Sequence, residues 1–184
     1  IPGVKVVVPS NPYDAKGLLM SAIQEDNLVV FSEDKTLLGQ KGNVPEEPYT
    51  IEIGKANVTR EGDDLTIVAI GKMVAVAEET AEKLAEDQVS VEVIDLRSVS
   101  PWDQETVLDS VKKTGRLIVI DESNPQCNIA GDVASVIGDV GFDYLDGPIK
   151  KVTAPDTPVP FAANLEAAYM PNADKVLDLS LIHI

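Results

Sequence analysis

The chain has 184 residues, 31 acidic and 15 basic, a formal net charge of −16, one Cys and one His. That balance excludes a nucleic-acid binder, which needs clustered Lys and Arg to neutralise phosphates. One Cys excludes a disulfide framework or a cysteine-based zinc site, and no apolar run nears the roughly 20 residues that span a bilayer.

Taken in chain order, Ile1-Pro2-Gly3 leads straight into the β-branched run Val4–Val8, which reads as a buried strand. So abrupt a start is expected inside a longer chain. A helix follows, with Ser10 or Asn11 as cap, Pro12 in the first turn, Asp14 at the positive end of the dipole, and Leu18, Leu19, Ala22 and Ile23 at helical spacing. Asn27–Phe31 reads as a second buried strand, completing a β-α-β unit. Gly39, Gly42, Pro45, Pro48, Gly54 and Gly62 then punctuate a segment expected to be a linker over 39–61.

Beyond it, strands are predicted at Leu65–Ile70, Val89–Ile94, Leu117–Ile120 and Ile149–Thr153. Helices are predicted at Met73–Asp87, Asp103–Lys113 and Ile129–Val140, with a short one around Leu165–Tyr169. Nearly all-apolar strands alternating with helices specify an α/β, doubly wound, mainly parallel sheet over about 62–178. The acidity concentrates there: residues 1–60 hold 8 acidic and 6 basic side chains, residues 61–184 hold 23 and 9. The last six residues, Leu179-Ser180-Leu181-Ile182-His183-Ile184, reverse-translate to a sequencing-adapter end and read as a non-native tail; a short apolar arm is the alternative. Any Ser/His or Cys/His unit would depend on that His183.

Generic catalytic motifs are scarce. Gly138-Asp139-Val140-Gly141 is a helix end and turn, not a phosphate cradle. Asp63-Asp64 and Glu46-Glu47 are solvated loop acids, Cys127 has no base to activate it, and Trp102 reads as a packing anchor. The strongest pattern is Val93-Ile94-Asp95-Leu96-Arg97-Ser98-Val99-Ser100-Pro101-Trp102-Asp103. It sets Asp95 and Arg97 at the carboxyl end of a parallel strand, where open α/β sheets carry functional residues, and then starts a helix at Pro101. The alternative is that Asp95 and Arg97 form an ion pair that only fixes the strand–helix corner.

Val93–Asp103 resembles the Ile-Asp-Leu-Arg-x-x-x-Pro-x-Asp signature of the C-terminal domain of transketolase-like thiamine diphosphate enzymes. Further matches are Pro2–Pro9, Asp14–Leu19, Val44–Tyr49, Lys113–Arg116 and Pro155–Pro160. Together they resemble the β subunit of the decarboxylating component of 2-oxo acid dehydrogenases over about residues 1–176.

The resemblance implies that residues 1–38 end a pyrimidine-binding domain. It also implies an α2β2 heterotetramer with an α subunit, thiamine diphosphate between subunits with Mg2+ on the α side, and acyl transfer to a dihydrolipoyl acyltransferase through its basic subunit-binding module. The family's catalytic Glu lies upstream of the matching segment, and Glu25 and Glu33 come too late to replace it. No catalytic or cofactor-binding residue is therefore expected here. A potassium ion is implied at Ala22, Ile23, Glu25 and Asn27, held largely by backbone carbonyls, with Glu25 where the family usually carries Asp. Leu37-Leu38-Gly39, Asn124–Asn128 and Thr153–Pro158 resemble the acetoin dehydrogenase branch more than the pyruvate branch. The implied setting is a bacterial cytoplasm. Two alternatives stay open: a non-catalytic assembly module, and another enzyme of the transketolase superfamily.

Overall fold

A computed structural model describes residues 2–180 and arranges them around two sheets. In the first, β1 (Lys5–Val7) pairs in parallel with β2 (Val29–Phe31) across α1 (Pro12–Gln24). The α1 start follows its sequence: Asn11 is the cap, its Oδ1 accepting the Asp14 N–H at 2.9 Å, and Pro12 needs no partner for a missing N–H. The third strand of this sheet comes from far along the chain. It is β6 (Ser98–Ser100), antiparallel to β1, with Val6 opposite Ser100 and Val7 opposite Ser98.

The second sheet has the order β3–β5–β4–β7–β8: Asn57–Arg60, Val91–Asp95, Leu65–Ala69, Leu117–Ile120 and Lys150–Val152. Its last four strands are parallel, and β3 is an antiparallel edge. Helices α2 (Met73–Glu86) and α6 (Ala173–Ser180) cover one face, where Ala77, Ala81, Leu84 and Val176 pack on Leu65, Ile67, Val91 and Val93. On the other face α3 (Gln104–Thr114) and α4 (Ile129–Val140) set Val107, Val111, Val133 and Ile137 against Val68, Ile94 and Val119. Both faces being covered is why β4, β5 and β7 are buried throughout and mostly apolar. At roughly 1.5–3 kcal/mol for each fully buried large aliphatic side chain, this double layer is the main source of stability.

Several expectations change. Asn27–Phe31 is not a buried strand: β2 is an edge strand with Val30 exposed, and Leu28 just before it and Leu19 and Ile23 of α1 are exposed as well. The cause is that α1 covers only one side of a three-stranded sheet among the described residues. Pro101 does not start a helix. Residues 98–100 are drawn into β6, the Ser100–Pro101 bond is cis, and α3 begins at Gln104 with Asp103 as its cap.

The segment 39–61 is held down over much of its length. The Lys16 ammonium donates to the carbonyls of Pro45, Glu46 and Glu47, Tyr49 stacks on Tyr13 with ring centroids 4.6 Å apart, and residues 57–60 form β3. Unforeseen elements are β3, β6, α6 and a 3-10 turn at Phe142–Tyr144. Leu179 and Ser180 of the terminal hexapeptide close α6; Leu181–Ile184, with His183, lie outside the described residues.

Candidate functional site

Two polar clusters stand where the chain leaves the carboxyl ends of parallel strands. The first is the corner after β5. Arg97 has a φ of 58°, a left-handed conformation costly for a side-chain-bearing residue. This turns its guanidinium away from Asp95 and onto α1: Nε donates to Asp14 Oδ2 at 3.0 Å and Nη2 to Oδ1 at 2.6 Å. The expected Asp95–Arg97 ion pair is therefore not formed. Arg97 instead makes a two-pronged bond between the sheets, and Asp14 is its partner rather than a simple dipole acid.

Asp95 accepts the Ser10 hydroxyl and, at 3.0 Å, the backbone N–H of Arg97. Burial pushes its carboxyl up to about 6; the Ser10 and Arg97 hydrogen bonds counter this only in part, and the Asp14 charge adds to it. The corner thus positions elements; both side chains the sequence singled out are committed to protein partners.

The second cluster lies between β4 and β7, where the strand order reverses and doubly wound sheets open a crevice. A cleft of about 330 Å³ is lined there by Gly71 and Lys72 after β4, Asp121, Glu122 and Ser123 after β7, and Glu33 and Asp34 after β2. Lys72 is its central cation, 2.8 Å from Glu122 and 3.3 Å from Asp34. Partial burial disfavours its charge, yet Glu122 and Asp34 outweigh that and hold its pKa above the usual lysine range. Asp121 is buried and satisfied by the amide and hydroxyl of Ser123 at 2.9 and 2.6 Å. Four carboxylates around one ammonium repel anions, so these residues do not fit a diphosphate. Cys127 also lines the cleft, exposed and with a φ of 51°.

Ala22, Ile23, Glu25 and Asn27 fall together at the end of α1, whose cap residue is Glu25. Among the described residues no backbone N–H of the following turn bonds the carbonyls of Ala22 or Ile23, so these oxygens are available to a cation. The Glu25 carboxylate is not: Lys5 Nζ sits 2.6 Å from it. No group of three or more His, Cys, Asp or Glu among the described residues is placed to hold a metal, and no described helix is long and apolar enough to cross a membrane. Sequence reasoning missed Lys72. Its position just past β4 at the switch point is the signal that could have found it.

Residues 54–176 match the family described as transketolase, C-terminal domain, and the chain belongs to that family. Among curated relatives, it is 54% identical over 181 residues to the acetoin:2,6-dichlorophenolindophenol oxidoreductase subunit beta of Bacillus subtilis, covering 98% of this chain and 53% of that protein. It is 48% identical to the Cupriavidus necator protein of the same name, covering 96% and 52%, and 49% identical to the pyruvate dehydrogenase E1 component subunit beta of Bacillus subtilis, covering 96% and 54%. A solved structure described as a split gene transketolase, inactive beta4 tetramer, superposes with a TM-score of 0.82 at 26% identity, over 97% of this chain and 56% of that one. The chain spans about half the length of the curated relatives it matches.

Proposed function

We propose that the chain forms part of the β subunit of a thiamine-diphosphate-dependent acetoin dehydrogenase, in which it serves assembly and docking rather than bond cleavage. The carrying observation is the 54% identity to the acetoin enzyme's β subunit against 49% to the pyruvate enzyme's in the same organism. That second figure also makes pyruvate the alternative substrate. When bound in the whole enzyme, thiamine diphosphate supplies the carbanion and electron sink; the clefts described above offer it no partner. Residues 1–38 would close a pyrimidine-binding domain, 39–61 cross over, and 62–178 form the assembly domain. The test uses the complete α2β2 enzyme with dichlorophenolindophenol as acceptor. Acetoin is expected to be turned over at least about tenfold more efficiently than pyruvate, and the reverse order overturns the reading. Replacing the complete β subunit by the 184-residue chain is expected to abolish turnover.

Two further roles belong to this reading. The acidity of residues 61–184 suits a basic docking module of an acyltransferase, since complementary charge raises the association rate. Binding of the assembled enzyme to that module should weaken as salt rises to physiological strength, and salt-independent binding would refute it. Potassium at the end of α1 would use the Ala22 and Ile23 carbonyls with Asn27, Glu25 contributing through its backbone. KCl should then raise the unfolding temperature above that in equal NaCl, and Asn27→Ala should narrow the gap; identical melting in both salts removes the site.

A further inference from the structure

The junction between the sheets buries one more negative charge than it neutralises. Asp14 and Asp95 are both fully buried, and among the described residues Arg97 is the one cation facing them. Both guanidinium bonds go to Asp14, which also accepts from Asn11 Nδ2 at 2.8 Å. Asp95 is left with two neutral donors, the Ser10 hydroxyl and the Arg97 amide.

Among the described residues, the other elements packed around Asp95 supply no cation. Its strand neighbours are Asn57 on β3 and Ala69 on β4. The groove that Ser10 and Asn11 share with α2 is lined by Glu78, Glu79 and Glu82 and by no Lys or Arg; Arg60, outside its lining, pairs with Glu78 at 3.7 Å. The same contact joins parts of the chain remote in sequence, with Val8 N–H bonded to the Arg97 carbonyl at 2.8 Å beside a left-handed residue.

We propose that this junction is a proton-operated latch, in which a proton on Asp95 holds the β1–α1 loop against the β5–β6 corner and its loss lets them part. Opening hydrates the carboxyl and returns it to the ordinary range near 3.8, whereas the closed junction retains the proton up to about pH 6. The closed state is therefore fully favoured below the lower value, and its advantage is lost as pH rises through the higher one. Opening also releases the left-handed strain at Arg97.

Amide hydrogen exchange of the full chain tests this, with Val8 as reporter and Asp121, bonded to the Val152 carbonyl at 3.0 Å, as an internal reference. After correction for intrinsic exchange, the Val8 opening constant should rise by more than about tenfold between about pH 4.5 and 7.5, while Asp121 stays level. Asp95→Asn should make the Val8 profile flat. Ser10→Ala, which removes a donor to the ionised carboxylate without touching the charges, should move the midpoint to higher pH. A role in packing alone would raise opening equally at every pH. A flat wild-type profile, a slope that survives Asp95→Asn, or an unmoved midpoint in Ser10→Ala each overturns the latch.

Discussion

Gly62 lies so close to β5 that a Cβ there would stand 2.2 Å from the Val91 carbonyl carbon and 2.3 Å from the Glu92 nitrogen. Those are backbone atoms of a central strand and cannot step aside. Gly62→Ala is expected to cost about 3 kcal/mol or more in urea unfolding, while Gly39→Ala, with nothing within 4 Å, should change stability by under about 0.5 kcal/mol. Asp103 supports the opposite kind of contact. Its carboxylate accepts the Thr106 amide at 3.2 Å, the Thr106 hydroxyl at 2.8 Å and the Ala56 amide at 3.1 Å, tying α3 to the start of β3. Burial works against its ionised form, but Thr106, Ala56 and Lys55 prevail and hold its pKa below the usual carboxylate value. Its stabilisation is then full above about pH 4 and drains away as pH falls through the lower folded value. Asp103→Ala should cost about 1–2 kcal/mol at neutral pH, with the difference from the unaltered chain shrinking in acid.

Among the elements, the Arg97–Asp14 bond carries the clearest expectation. Arg97→Ala leaves Asp14 buried without its cation and should cost about 3 kcal/mol or more, and a double-mutant cycle with Asp14→Ala should show strong coupling. Arg97→Lys should not restore the loss, since an ammonium cannot make the two-pronged contact. This bond also marks where the sequence stops being legible. Apolar runs located β4 and β7, which are buried on both faces, and helical periods located α2 and α4, which bury one. The motif around Arg97 was visible, but its partner was not: Asp14 lies 83 positions away, and nothing local announces a left-handed arginine. Strand β6 was hidden likewise, since Ser98-Val99-Ser100 has no alternation long enough to read and is fixed by β1. Lys72 was overlooked for a different reason, as a single lysine after a glycine gains meaning only when the strand order is known.

For the whole molecule the governing quantity is the net charge of −16. Charges of one sign confined to a folded volume repel more than in an unfolded chain, so raising NaCl from about 0.01 M to about 0.2 M should increase the unfolding midpoint by screening. A midpoint that falls would show that ion pairs such as those around Lys72 outweigh the repulsion. The route of β6 has a consequence for how the chain is made. During synthesis β1, α1 and β2 emerge before β3, β4, α2 and β5, yet β1 gains its pairing with Ser98–Ser100 only after all of these have followed. Of the two sheets, the one begun earlier is thus completed only after part of the other has been made, and until Ser98–Ser100 arrives the β1 side it will occupy stays open to the translation machinery and its chaperones.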